Sequence, residues 1–221
     1  MNRAVAAIVV GQLLATSLWF SANSAGADLV RAWGITPVQL GMLTSAVQLG
    51  FITGTLAFAL TGLADRFRAS HIVFASSLVG AACNAGFALL ADNLAQAAVF
   101  RFAVGLSLAG IYPLGMKLIV SWVAERAGAA LGLLIGMLTL GTALPHGLRA
   151  LGAGLDWQWV VLASSILAVA GGLLVLRVGD GPHLSAKAGG AAPVWGEVLG
   201  VFRIRGFRAS AFGYFGHMWE L

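Results

Sequence analysis

The sequence predicts an all-α membrane protein, a six-helix antiparallel transmembrane bundle, on three observations. Hydrophobic residues make up 59% of the 221-residue chain and charged residues only 10%, with mean hydropathy +0.91. That composition suits a chain whose solvent is lipid. The apolar residues fall into runs of about 20, enough to cross a hydrocarbon core about 30 Å thick as a helix. Short polar turns separate the runs, chief among them residues 61–71, where Asp65, Arg66 and Arg68 stand between two long apolar stretches.

The first span is residues 4–25. The start, Met1-Asn2-Arg3 before an apolar run with small residues at 22–25, has the outline of a secretory signal. The run exceeds the roughly 7–15 residues of a signal core, so an uncleaved first helix is expected. Residues 37–60, 72–90, 94–119, 127–148 and 157–178 supply the other five. The connections at 26–36, 61–71, 91–93, 120–126 and 149–156 are short, so successive helices run up and down.

Orientation follows from the basic residues, because lysine- and arginine-rich loops stay in the cytoplasm. A cytoplasmic amino terminus puts Arg3, Arg66, Arg68, Arg126, Arg177, Lys187, Arg203, Arg205 and Arg208 inside and leaves Arg31 and Arg149 outside. The expected location is a plasma (inner) membrane, crossed several times.

Residues 1–178 form this bundle, and residues 179–208 read as a cytoplasmic linker rich in Gly, Ala, Pro, Lys and Asp. Within the linker, Pro193 suits the first turn of a helix. Val194, Trp195, Val198, Leu199 and Phe202 against Glu197, Arg203 and Arg205 suggest an amphipathic segment on the membrane surface; a loosely ordered connector is the alternative. Residues 209–221 turn apolar again. At 1.5 Å per residue they cover about 20 Å of the ~30 Å core, so they read as the truncated beginning of a seventh helix of a longer protein.

Composition also excludes function classes. The net charge of +5 and pI near 10.4 would suit nucleic acid only if gathered on one water-facing patch, and here the basic residues are dispersed. Cys83 is the only cysteine, so no intrachain disulfide forms. No His/Cys metal cluster, no G-x-S-x-G and no phosphate-cradling loop appear. No enzyme site, metal or cofactor is expected.

Polar residues inside the spans carry the functional expectations. Gln12, Thr16, Trp19 and Asn23, at spacings of four, three and four, share one face of the first helix. Such groups face the bundle interior or a water-filled cavity, and hydrogen bonding between helices and cavity lining are both open. Gln48 adds a polar group to helix two. Gly50 with Gly54, and Gly132 with Gly136, have the spacing of close helix crossings.

In helix four, Arg101, Gly105, Leu108 and Tyr112 share a face on ideal geometry. An arginine within a span costs about 2.5–3.5 kcal/mol on the insertion scale, so Arg101 is expected in a substrate cavity, the alternative being snorkelling to the outer interface. Lys117, about 160° around the ideal helix from Arg101, reads as an interfacial anchor, and His146 likewise. His217 and Glu220, three residues apart, are neighbours on a helix and candidates for proton coupling; an interhelical hydrogen bond is the alternative for Glu220.

With these residues placed, the chain resembles the major facilitator superfamily, twelve-helix secondary transporters made of two six-helix halves. The turn at 61–71 is similar to the family's G-x-x-x-D-R-x-G-R-R signature, with Asp65 and Arg66 in register. Thr61 replaces the first glycine, although Gly62 follows, and Arg68 replaces the second. Arg101 and Gly105 match an R-x-x-x-G pattern, with Val104 where glutamine is frequent. The G-x-x-x-G-P-x-x-G-G motif of drug/proton antiporters is only partly present, since Gly132 and Gly136 are there but Pro145 comes later. Asp156-Trp157-Gln158-Trp159 and the basic linker add to the likeness.

The resemblance implies a secondary active transporter of a small solute, proton- or gradient-coupled, working by alternating access. It implies half of a twelve-helix fold that needs a carboxy-terminal half of the same protein. Gln12, Thr16, Trp19, Asn23, Gln48, Arg101 and Tyr112 become substrate-cavity candidates. Asp65, Arg66 and Arg68 become a cytoplasmic gate, with Asp65 capping helix three or pairing with the other half. The competing reading is a non-transporting membrane scaffold or sensor of the same fold. The partners expected are the solute, protons and the lipid bilayer, with no nucleic acid.

Overall fold

The computed structural model describes residues 3–152, 154–184 and 200–220. The side chains of His217 and Glu220, and linker residues 185–199 with Lys187 and Pro193, lie outside the described residues. All regular structure within them is helical. Five stretches are long and apolar enough to cross a membrane: Pro37–Thr61, Ala69–Leu90, Leu94–Trp122, Ala124–Leu151 and Trp157–Val178. They correspond to the second through sixth expected spans.

The first expected span is broken. Helix α1 (Arg3–Ala15) passes into a 3-10 turn (Thr16–Leu18), and Phe20 leaves the helical region at φ −112°, ψ 20°. Two short helices follow, α2 (Ser21–Ser24) and α3 (Gly26–Trp33). Hydroxyls supply the cause: Thr16 donates to Gln12 O (2.8 Å), Ser17 to Leu14 O (2.7 Å), Ser21 to Leu18 O (3.1 Å) and Ser24 to Ser21 O (2.7 Å). Each competes with the backbone for a carbonyl and loosens the helix there.

Helix α4 (Pro37–Thr61) starts at a reciprocal capping box between Thr36 and Gln39, with Pro37 in its first turn, and stops at Gly62 with φ +63°. Pro lacks the N–H that a first turn cannot use, and Gly adopts the left-handed stop without strain. After the single turn α5 (Leu63–Arg66) comes α6 (Ala69–Leu90). Asn93 caps α7 (Leu94–Ala109) by accepting from Gln96 N at 3.0 Å.

The fourth span is also two pieces, because Gly110 and Ile111 separate α7 from α8 (Tyr112–Trp122), which has Pro113 in its first turn. By contrast, α9 (Ala127–Leu151) runs through Pro145 without a break, and α10 (Trp157–Val178) ends at Gly179 with φ +71°. The last described helix is α11 (Arg205–Glu220).

Glycine sets the tightest crossing. A Cβ on Gly50 would collide with the Phe102 carbonyl and Gly105, and one on Gly105 with the backbone of Val47 and Phe51, so α4 and α7 meet backbone to backbone. Gly54 likewise meets Leu106 and Ala109. The same expectation fails for Gly132 and Gly136, which have open space within 4 Å.

Three buried apolar clusters stack along the bundle. Ile8, Val73, Leu118 and Leu134 fill the end carrying Asp65. Leu18, Trp19, Val47, Leu108 and Ala168 fill the middle. Leu29, Leu43, Phe87, Trp157 and Val161 fill the end carrying Asp28. Helices α4 and α9 are the least enclosed: 22% and 17% of their most apolar windows is buried, against 44–50% in the other three spans.

Candidate polar and aromatic site at the break in the first helix

A helix break inside an apolar bundle leaves carbonyls that neither helix nor water satisfies. Arg101 meets them here. Its guanidinium donates to Leu18 O (3.1 Å), Ser21 Oγ (3.2 Å) and Asn84 Oδ1 (3.2 Å), and also to Trp19 O. The planar fork of an arginine suits several fixed acceptors at once. Arg101 is fully buried, so in this arrangement it faces protein at the break rather than an open cavity or the outer interface.

Asn84 of α6 joins the network to α10. Its Oδ1 accepts from Ser21 Oγ at 2.7 Å, and its Nδ2 donates to Val161 O and Ser165 Oγ, each at 3.0 Å. Ser17 donates to Ser164 O at 3.2 Å. The break is thereby fixed from α6, α7 and α10 together. Asn84 was not among the sequence candidates, although an amide inside an apolar span is the same kind of signal as Gln12.

Trp19 leads from the break to a second group of residues. Its ring lies 4.9 Å from that of Phe51, centroid to centroid, at 47°; Phe51 in turn lies 6.4 Å from Tyr112 at 32°. Trp19 is 8% exposed and its indole N–H has no hydrogen-bond partner among the described residues, whereas Phe51 and Tyr112 are half-buried. Asn23 Nδ2 donates to Thr44 Oγ1 at 2.8 Å. Thr44, exposed Gln48, Phe51 and Thr55 follow at helical spacing along α4. Asn23, Trp19, Gln48 and Tyr112 therefore gather around one row of aromatic rings.

The remaining candidates are placed otherwise. Gln12 and Thr16 are buried, Gln12 against Gly115 of α8 and Thr16 against Gly141 of α9. Arg101 and Tyr112 lie on opposite sides of the break at Gly110 and Ile111, Arg101 on the backbone of the first helix and Tyr112 beside the ring of Phe51. Lys117, at the other end of the fourth span, reaches Asp65 Oδ1 and Ala64 O, both at 2.6 Å.

At that end Asp65 thus pairs with Lys117 rather than capping α6. The α6 cap is Asp180, which accepts from Ser70 N (2.8 Å) and Ala69 N (3.2 Å) and lies 3.9 Å from Arg68 Nε. A carboxylate there meets both the orphan N–H groups and the positive end of the helix. Residues 179–184, expected in the linker, dock on α8: Trp122 Nε1 donates to Gly179 O, Gly181 N to Ser121 Oγ and His183 N to Ser121 O. A cavity of about 410 Å³ opens beside them, lined in part by Lys117, Ser121 and His183. Arg66 is exposed. At the opposite end Asp28 pairs with Arg149 at 2.8 Å and Arg31 at 2.5 Å, tying α3 to α9.

No group of three or more His, Cys, Asp or Glu able to hold a metal occurs among the described residues.

Comparison with known proteins adds a lineage to this geometry. A family model described as Major Facilitator Superfamily matches residues 8–219. The chain is 35% identical over 96 residues to the niacin transporter NiaP of Acinetobacter baylyi, covering 43% of this chain and 21% of that protein. It is 32% identical over 122 residues to solute carrier family 22 member 6 of Pseudopleuronectes americanus, covering 53% and 20%. Against solute carrier family 22 member 6-A of Xenopus laevis it is 33% identical over 130 residues, covering 57% and 20%. The matched stretches span about a fifth of the length of each relative.

Proposed function

The chain belongs to the major facilitator superfamily, and we propose that it supplies the amino-terminal six-helix half of a secondary active transporter moving a small solute by alternating access. The observation that carries this is the family match over residues 8–219; multi-pass apolar helices and relatives named as transporters support a membrane transporter in general. The broken path from α1 to α3 acts as the first of six spans. The open faces of α4 and α9 support a seat for a carboxy-terminal half, which would enclose a site near the midplane.

In this reading Trp19, Asn23, Gln48 and Tyr112 line the cavity. Gln12 and Thr16 brace it from below, and Arg101 fixes the break beneath Trp19. Asp65, Arg66 and Arg68 form the cytoplasmic gate, with the Asp65–Lys117 pair and Asp180 as its local supports. His217 and Glu220 remain the proton-coupling candidates, and the protein lies in an inner membrane with its amino terminus in the cytoplasm.

Reconstitution of the full-length protein into liposomes tests this. Solutes that raise its apparent stability, as ligands of the folded state must, are then followed for uptake with and without a pH gradient. Saturable uptake and counterflow of a bound solute, accelerated by the gradient, is expected. Binding without uptake or counterflow under any gradient would overturn transport in favour of a scaffold or sensor.

A further inference from the structure

We infer that the solute carries a planar aromatic ring, held on the row formed by Trp19, Phe51 and Tyr112, with Asn23, Thr44 and Gln48 supplying hydrogen bonds at the ring's edge. This rests on the transporter reading above and deepens it to a substrate class. Three observations carry it.

The first is the spacing of the rings. Phe51 and Tyr112 lie 6.4 Å apart with 32° between their planes. Flat apolar faces of this kind take a further ring by contact at ~3.5 Å along the row. Trp19, packed at 4.9 Å on Phe51 and itself held by the backbone bonds at the break, backs this pair. A ring held by locked aromatics loses little freedom that the protein must supply.

The second is the indole N–H of Trp19, unpartnered among the described residues, on a side chain only 8% exposed. A buried donor without a partner is costly, and a ring nitrogen or carbonyl-type acceptor on the solute would satisfy it. The edge groups fit the same chemistry, since Gln48 is exposed and the Asn23–Thr44 pair stands on the same side of α4.

The third is charge. Arg101 is fully buried at the break, and its two terminal guanidinium nitrogens already donate to Leu18 O, Trp19 O, Ser21 Oγ and Asn84 Oδ1. This chain's described contribution is therefore a neutral aromatic one, which recognises the ring irrespective of what charged group the solute also bears.

The test uses solutes matched in charge and shape on the full-length protein in detergent: benzoate against cyclohexanecarboxylate, and benzamide against cyclohexanecarboxamide. Binding is measured by calorimetry. Expected is preference for the aromatic member of at least one pair by about tenfold, in line with the ~0.5–1.5 kcal/mol of each aromatic contact. Tyr112→Leu and Trp19→Leu should erase that preference, and Trp19→Phe should keep most of it while losing the part owed to the indole N–H. Gln48→Ala, at an exposed position, should weaken the aromatic solute severalfold in a protein that remains folded by thermal unfolding.

Equal binding of aromatic and saturated members, binding of none, or an aromatic preference that survives Tyr112→Leu and Gln48→Ala would each overturn the inference. The two readings fail separately. Uptake of a non-aromatic solute alone would overturn the ring and leave transport standing, whereas ring-selective binding without uptake or counterflow would do the reverse.

Discussion

Replacing Arg101 separates an arginine that pins a helix break from one that serves only as a positive charge. In Arg101→Ala, Trp19 O loses its side-chain donor, and the one Ser21 proton can serve either Leu18 O or Asn84 Oδ1 but not both. Two orphaned buried acceptors cost about 1–3 kcal/mol each, or about 2–6 together. Removing the guanidinium returns about 2.5–3.5 kcal/mol of its own insertion cost. The net change then lies between about 1.5 kcal/mol of gain and about 3.5 kcal/mol of loss. Arg101→Lys is the informative partner. An ammonium keeps the charge and its desolvation but cannot present a planar fork to four fixed acceptors, so Lys should be no more stable than Ala.

The assay is reversible unfolding of the full-length protein in mixed micelles, paired with amide hydrogen exchange over residues 16–25. Both variants should exchange faster than the parent there, because the freed carbonyls let the 3-10 turn and α2 rearrange. An Arg101→Lys protein within about 0.5 kcal/mol of the parent, with unchanged exchange at the break, would refute the pin and leave charge as the role.

Further substitutions probe the rest of the bundle. Gly50→Ala and Gly105→Ala push a Cβ into facing backbone and should cost about 1–3 kcal/mol of overpacking in the same unfolding assay. Gly132→Ala, in open space on α9, should stabilise by up to ~1 kcal/mol through helix propensity. Asp180→Ala removes the α6 cap and should cost about 0.5–2 kcal/mol, with Asp180→Asn retaining part of it. Asp65→Asn breaks a pair whose members are 61% and 30% exposed. Its stability effect should stay below about 1 kcal/mol and fade with salt, while the rate of uptake falls in the liposome assay if the pair belongs to the gate.

Much of this architecture was legible in the sequence, and what escaped did so for one physical reason. Hydropathy located five spans because lipid demands continuous apolar length, and the Gly50–Gly54 spacing marked a real crossing. The split of the fourth span at Gly110 and Ile111 did not show in its continuous apolar length. Asp180 looked like a linker residue, yet it caps a helix 110 positions earlier. Gly132 and Gly136 carried a crossing's spacing without a crossing, since the spacing permits close approach and does not supply the neighbour. Periodicity reports what one element tolerates; which element answers it lies elsewhere in the chain.

The break in the first helix shows why that answer matters. Ser17, Ser21 and Ser24 can loosen a helix anywhere, but in an apolar bundle the loosened carbonyls are tolerable only where a strong donor meets them. Arg101, in turn, is tolerable at full burial only where carbonyls are available to receive it. Neither feature is stable alone, and they stand 83 residues apart. Their meeting fixes the backbone of Trp19 and hence the aromatic row beyond it. A change at Arg101 or Asn84 should therefore alter solute binding without either side chain touching the solute, whereas Gln48 should act on binding with little effect on stability. Measuring both properties across the three positions separates the frame of the site from its contacts.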